Sequence, residues 1–341
     1  MKRPTIGDVA RLAGVSTATV SRTLHSPEVV SETARNAVLE AVRYTGYTQN
    51  AAAQNLRQRR AKAVLVLVPD IGNTFFSEIL AGIERVASAA GLTILIGDTA
   101  NDVRREEDFL RYLRNGRADG VLLLNGRLPP SVIATLDEGA GRPPMVTISE
   151  ALDRQVVPHV GIDNVAAAEL AVRHLLDLGH RRIAHLCGPA DNILTRQRLA
   201  GYRRAMAAAG IPEGRESLLA GDFTAESGGR AALELLALPE RPSAIFCSND
   251  EMAMGLISVL HGRGMAVPCD LSVVGFDDIV FAKTYIPALT TIHQPRSDLG
   301  ERAMHSLLAL LDGTLEQQQA PALLEARLVV RESTAACRAP R

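Results

Sequence analysis

Ile6-Gly-Asp-Val-Ala-Arg-Leu-Ala-Gly-Val-Ser-Thr-Ala-Thr-Val-Ser-Arg22 is the stretch from which the rest of the chain can be read. Thr5, just before it, suits a helix cap: its hydroxyl can accept from an amide three residues on, and Asp8 sits near the positive helix end. Ile6, Val9, Ala10 and Ala13 repeat at helical spacing. Gly14, in Ala13-Gly-Val15, can take the left-handed backbone that closes a helix. Ser16 then caps a second helix, Thr17 to Leu24, with Val20 and Leu24 facing inward. Ser31 caps a third, about Glu32–Thr45, whose apolar positions are Ala34, Val38, Ala41 and Val42, and Gly46 ends it. Helix, glycine-containing turn, helix is the spacing of a helix-turn-helix.

Three short helices can share one small core and leave the second free to enter a DNA major groove. Its outward residues near the N-terminus are Thr17, Ala18, Ser21 and Arg22. Arg22 alone has a fork able to read a guanine edge bidentately; a phosphate or solvent contact is the alternative. Thr17 and Ala18 are short and suit a thymine methyl, a base edge or a backbone oxygen. The charge distribution points the same way. Residues 1–60 hold nine basic and four acidic side chains, whereas the rest of a chain of net charge -1 is acidic by six. A basic head on an acidic body implies a polyanion partner for the head alone.

Working outward, the chain has 341 residues, of which 47% are hydrophobic. That length predicts two or three folding units with enough apolar material for real cores. No apolar run reaches the ~18–20 residues that span a bilayer, and the N-terminus lacks the apolar stretch of a signal peptide, so the expectation is a cytoplasmic protein. Cys187, Cys247, Cys269 and Cys337 are widely separated, without a CxxC pair. They imply neither a disulfide framework nor a zinc site, and no metal or cofactor is expected.

After Ala63 the pattern becomes strand, helix, strand. Short apolar runs start at Ala63, Leu92, Gly120, Met145, Ile183, Ala244 and Ser272, separated by helical segments such as Phe75–Ala90, Arg104–Arg114, 165–178, 197–210 and 225–237. Continuous apolar strands alternating with helices mean parallel sheets covered on both faces. The fold class expected is therefore an all-α helix-turn-helix head plus a two-lobed α/β core. The polar interval Asp153–His159 marks a place where the second lobe could begin. Expected boundaries are 1–48 for the head, 49–61 for a linker and 62–335 for the core. Within the core, the first lobe takes about 62–160 plus 292–320, and the second about 161–291 plus 321–335.

Ligands of such sheets bind beyond the carboxyl ends of the strands. Asn73, Phe75, Phe76, Arg196, Arg198, Phe223, Asn249, Asp277 and Gln294 all follow strand ends. Aromatic faces with amide, carboxylate and guanidinium groups suit a polyhydroxylated or ring-shaped ligand. Some have a plainer reading: one of the two phenylalanines as core, Asn249 as a helix cap, Asp277 as a turn residue, Arg196 as a surface charge.

The head from Ile6 to Arg22, with Val30-Ser31, Tyr44-Thr-Gly-Tyr47 and Asn50-Ala-Ala-Ala-Gln-Asn-Leu56, resembles that of the lactose/galactose repressor (LacI/GalR) family of bacterial transcription factors. Val68-Pro-Asp70, Phe75-Phe-Ser-Glu-Ile79, Leu95-Ile-Gly-Asp98, Gly221-Asp-Phe-Thr-Ala-Glu-Ser227 and Leu289-Thr-Thr-Ile-His-Gln-Pro295 look closest to its cytidine-repressor branch. The resemblance covers about 330 residues, the core being similar to periplasmic sugar-binding proteins. It implies operator contacts by Thr5, Ser16, Thr17, Ala18, Ser21 and Arg22. It further implies contacts by a hinge helix with Asn50, Ala53, Leu56 and Arg57, Leu56 being an apolar wedge in the minor groove. Asn73, Phe75, Phe76, Arg198, Phe223, Asn249, Asp277 and Gln294 also look like the pentose-contacting set of ribose-binding proteins.

The implied function is a ligand-responsive repressor released by a nucleoside or pentose-type sugar. A purine co-repressor is the alternative, weakened because Asn192 and Leu194 stand where purine-repressor relatives carry Arg and Thr. An enzyme is a further alternative, without a GxxxxGK[ST], GxSxG, HExxH or GxGxxG motif to support it. The expected partners are operator DNA, a small effector and a second copy of the chain. The seven residues after Thr334 are too few for a tetramerising coiled coil, so a homodimer is expected.

Overall fold

The computed structural model describes residues 4–48, 60–137, 143–152, 156–212, 217–315 and 320–337. They fall into two units that divide after Ala61.

The first unit is three helices: α1 (Ile6–Ala13), α2 (Thr17–His25) and α3 (Glu32–Thr45), with a 3-10 turn at Pro27–Val29. Thr5 and Asp8 form a reciprocal capping box, the Asp8 amide donating to Thr5 Oγ1 at 3.3 Å and the Thr5 amide to Asp8 Oδ2 at 2.9 Å. Gly14 closes α1 at φ 64°, a conformation that costs other residues strain. Ser16 caps α2 by accepting from the Thr19 amide at 3.1 Å. Ser31 departs from expectation: it holds the capping position of α3, but its side chain makes no cap bond. Only its carbonyl engages the helix, accepting from Arg35. Val9, Ala10, Val20, Val38 and Ala41 form the core. Each fully buried valine contributes on the order of 1.5–3 kcal/mol, which matters in a unit this small.

The second unit holds two six-stranded sheets. The first is ordered β11-β5-β4-β3-β1-β2, from β1 (Ala63–Val68), β2 (Thr93–Asp98), β3 (Gly120–Leu123), β4 (Met145–Ile148), β5 (His159–Ile162) and β11 (Ala322–Leu324). The second is ordered β12-β10-β9-β8-β6-β7, from β6 (Ile183–Leu186), β7 (Ser217–Leu219), β8 (Ala244–Cys247), β9 (Ser272–Asp277), β10 (Thr290–His293) and β12 (Arg327–Val329). All pairs are parallel except β10 with β12. Helices α4 (Phe75–Ala89), α5 (Val103–Arg114), α6 (Pro130–Asp137), α7 (Asn164–Asp177), α8 (Ile193–Ala208), α9 (Ala225–Ala237), α10 (Asp250–Gly262) and α11 (Arg296–Leu311) connect the strands. β1, Ala-Val-Leu-Val-Leu-Val, is buried throughout, as a central strand covered on both faces must be. No helix among the described residues is long and apolar enough to cross a membrane.

The chain passes between lobes three times, each later than expected. β5 stays in the first sheet to Ile162, β10 belongs to the second sheet to His293, and β11 returns to the first sheet before the last crossing. Assigning 292–293 to the first lobe and 161–162 and 321–324 to the second is thereby corrected. The polar interval before His159 leads into a first-sheet strand rather than opening the second lobe. Polarity marks a loop, but strand pairing decides to which sheet the next strand belongs.

Two helices that begin at the junction are held unusually close. A Cβ on Gly228 of α9 would lie 2.0 Å from the Met252 carbonyl oxygen, and one on Gly255 of α10 would lie 1.9 Å from that of Ala225. Only glycine permits this approach, and it fixes the residues just before both helices.

Candidate functional site

In the head, the residues expected to meet DNA are Thr5 at the start of α1 and Ser16, Thr17, Ala18, Ser21 and Arg22 at the cap and along α2. Thr5, Ser16, Thr17, Ala18 and Arg22 are exposed and Ser21 is half-buried. Arg22 forms no ion pair with a described residue, while Thr5 and Ser16 also serve as caps. Asn50, Ala53, Leu56 and Arg57 lie outside the described residues.

In the core, a cleft of about 400 Å³ opens at the carboxyl ends of the strands, between the lobes. That size suits a drug-sized or sugar-sized ligand. Asn73, Phe75, Phe76, Arg198, Phe223, Asn249 and Asp277 line it. Two expected residues do not. Arg196 is exposed and donates from Nη1 to the Asp191 carbonyl at 2.9 Å, because one position along α8 from the inward face turns it to solvent. Gln294 sits in the crossing between β10 and α11, fully buried, and donates from Nε2 to Asp277 Oδ1 at 2.7 Å. It positions the carboxylate instead of facing the cleft.

Arg198 is the anchor. Its guanidinium stacks 3.7 Å from the centre of the Phe276 ring; Nε donates to Asn164 Oδ1 at 3.1 Å and Nη1 to the Ser248 carbonyl. Nη2 lies 3.9 Å from Asp277 Oδ1. An arginine so buried is stable only with its charge compensated. Burial pushes the Asp277 carboxyl up to about 6, against the opposing pull of Arg198, Arg296 and the Gln294 hydrogen bond. Asp277 and Asp278 both have positive φ, 112° and 56°. Such strain persists only where neighbours over-determine it. Here Gln294 holds Asp277, Arg331 Nη2 (2.6 Å) and His293 hold Asp278, and Asp250 Oδ2 accepts from the Ile279 amide at 2.9 Å. Asp250 itself is pushed well up, first by burial and then by the nearby Asp277.

The aromatic side is built differently. Phe75 and Phe76 begin α4, meet edge to face at 5.2 Å, and both belong to the first-lobe core while lining the cleft. Asn73 Oδ1 accepts from the Phe75 amide at 2.9 Å. Phe223 stands opposite in the second lobe at φ 70°, its carbonyl held by Asn249 Nδ2 at 2.9 Å. Its ring passes so close to Gly188 that a Cβ there would lie 2.3 Å away. Asn249 is both cap and lining residue, since its Oδ1 accepts from Met252 at 2.9 Å.

Several lining groups escaped sequence reasoning: Asp70, Asn101, Arg127, Ser149, Glu150 and Glu251. Asp70, Ser149 and Glu150 also follow strand ends, a signal that was available. Arg127 reaches across the cleft to Asp191, Nη2 to Oδ2 at 2.9 Å. Glu150 accepts from the Gly126 amide at 2.9 Å and from the Asn192 side chain of the opposite lobe. Burial pushes up the carboxyls of both Glu150 and Glu251. Among the described residues no group of three or more His, Cys, Asp or Glu side chains is placed to hold a metal ion.

Residues 5–50 match the model for bacterial regulatory proteins of the lacI family, and residues 172–334 match a periplasmic binding protein-like domain. The chain is 41% identical over 332 residues to the HTH-type transcriptional repressor CytR of Escherichia coli strain K12, covering 97% of this chain and 96% of the relative. It is 36% identical over 304 residues to the HTH-type transcriptional repressor PurR of Photobacterium profundum, covering 89% and 91%. The lac repressor dimer bound to operator and the anti-inducer ONPF superposes with a TM-score of 0.88 at 29% identity, covering 98% of this chain and all of that one.

Proposed function

The chain belongs to the lacI family of bacterial regulatory proteins, and from that premise we propose that a nucleoside or pentose-type sugar binds its cleft and releases it from operator DNA. The protein is a ligand-responsive DNA-binding transcriptional repressor whose partners are operator DNA, a small effector and a second copy of itself. One observation carries the effector class: Arg198 and Asp277 face the same small cavity as Phe75, Phe76 and Phe223. Hydroxyls can bond to the charged pair while apolar ring faces stack on the phenylalanines. Asn192 and Leu194 also line the cleft and offer less to a purine than an Arg and a Thr would, which supports the nucleoside or pentose reading over a purine co-repressor.

The cleft joins two lobes connected by three strand crossings and bridged by Arg127–Asp191. A ligand that favours one lobe arrangement shifts operator occupancy through its differential affinity for the two states, a few kcal/mol being sufficient. In the head, Arg22 reads a base edge while Thr17, Ala18 and Ser21 fix register; Asn50, Ala53, Leu56 and Arg57 extend the contact, Leu56 as a minor-groove wedge. Calorimetry of the full chain against a panel of nucleosides and pentoses tests the effector class. Binding of at least one, with loss of operator affinity in its presence, is expected. No heat with any of them would reject the class.

A further inference from the structure

The cleft wall is acidic. Among the described residues, Asp70, Glu150, Asp222, Glu251 and Asp277 line it against two cations, Arg127 and Arg198. Asp222 is paired with Arg230 at 2.9 Å and Asp277 faces Arg198, which leaves Asp70, Glu150 and Glu251 as the acids without an arginine partner in an ion pair. Both arginines are committed: Arg127 to Asp191, and Arg198 to Asn164, Ser248, the Phe276 face and Asp277.

Helix starts, the other common source of anion affinity, are each partly capped by the chain itself. α4, α8, α9 and α10 all begin at the cleft, and helix N-termini bind phosphate through unmet amides and a positive dipole end. Each has a first-turn amide taken by a cleft-lining side chain. Asn73 Oδ1 accepts from Phe75 at 2.9 Å, Asn192 Oδ1 from Leu194 at 2.8 Å, Thr224 Oγ1 from Ser227 at 3.2 Å and Asn249 Oδ1 from Met252 at 2.9 Å. α10 adds Asp250 and Glu251 in its first turn, which offset its dipole. Glu150 and Glu251, half-buried and pushed up by desolvation, gain from an incoming N–H or O–H donor and lose from a second anion.

We propose that the cleft selects an unphosphorylated ligand rich in hydroxyl or amino donors and rejects the phosphate ester of the same compound, with Glu150 and Glu251 as the discriminating residues. This rests on the effector reading above and narrows it. The repressor then senses nucleoside or free pentose and ignores the nucleotide or sugar phosphate made from it.

The test is calorimetry of the full chain with cytidine, cytidine 5′-monophosphate, ribose and ribose 5-phosphate. Whichever parent compound binds, its phosphate should bind at least about 100-fold more weakly, the scale of a like-charge clash in a partly desolvated site. Glu251→Gln and Glu150→Gln, measured separately, should each narrow that ratio by about tenfold. A phosphate that binds within about threefold of its parent overturns the proposal and leaves the effector class standing. Discrimination unchanged in both variants overturns the assignment to the two glutamates. Binding by no member of either pair overturns the effector class, and the proposal with it.

Discussion

The head and the cleft solve opposite problems. In the head, all the described side chains expected to meet DNA are exposed except the half-buried Ser21, and the bonds that order the helix starts are local: the capping box of Thr5 and Asp8 and the cap of Ser16 on Thr19 span three residues each. In the cleft, Arg198 and Asp277 are almost fully buried and are fixed by hydrogen bonds to partners seventeen to fifty residues away and by each other across a still longer stretch of chain. A surface that must dock onto a highly charged polymer can keep its charges hydrated until contact, whereas a pocket for a small molecule must hold its polar groups desolvated and ready. The cleft therefore carries backbone strain and carboxyls pushed up by burial.

Asp277→Ala should show the largest effect. It removes the foremost of the acids that compensate the buried Arg198, which costs up to about 3–5 kcal/mol of core stability, and it should abolish the ligand response while operator binding persists. Chemical denaturation with operator titration checks both; normal induction in the variant would remove Asp277 from the site. The milder Asp277→Asn keeps the volume and should lose the response with a smaller loss of stability.

Glu106 supplies the next effect, one of pH. Its carboxyl, buried beside Asn125, which donates from Nδ2 at 2.5 Å, is pushed up from 4.5 to about 7, chiefly by desolvation. A carboxyl whose value rises on folding stabilises the fold below its unfolded value, and that contribution is lost as pH rises through the folded one. Between pH 4.5 and 7 the wild type should lose up to about 3 kcal/mol from this group, and Glu106→Gln should not. Parallel pH profiles from thermal melts of the two proteins would refute the assignment.

Arg22→Ala tests the head in isolation. Specific operator affinity should fall by roughly 1–3 kcal/mol, with discrimination relaxed at a single base position and ligand affinity intact. If the variant still ranks mutated operators as the wild type does, Arg22 reads no base. Thr5→Ala should be smallest, lowering head stability by about 1 kcal/mol through loss of the cap. Head melting measured on the full chain detects it, and an unchanged midpoint would show the box to be redundant.

The same contrast explains what could be read in advance. Local order writes itself into local sequence, so Thr5, Gly14, Ser16 and the helix α3 at Glu32–Thr45 were legible from spacing. Strand starts at Ala63, Gly120, Met145, Ile183, Ala244 and Ser272 were legible because parallel strands are uninterrupted apolar runs. The lobe crossings were not, since Ala322–Leu324 carries nothing in its residues that selects β5 as partner over the neighbouring β10. In the cleft, the strand-end rule found seven lining residues; applied to β4 it would also have reached Glu150, whereas Glu251 lies in the first turn of α10, where an acid reads as a partner for the helix dipole. The rule included Arg196 because a side chain's direction on α8 depends on packing, and it placed Gln294 in the cleft although that side chain is buried behind it, bonded to Asp277.

Occupancy of the cleft should govern the hold of the heads on DNA. Fluorescence anisotropy of labelled palindromic DNA, titrated with the full chain at physiological salt and excess genomic competitor, tests it most directly when repeated with saturating ligand. The account predicts tight, sequence-selective binding that weakens when a nucleoside or pentose is added. Equal affinity for palindrome and competitor, or a titration curve that no cleft ligand displaces, would contradict it.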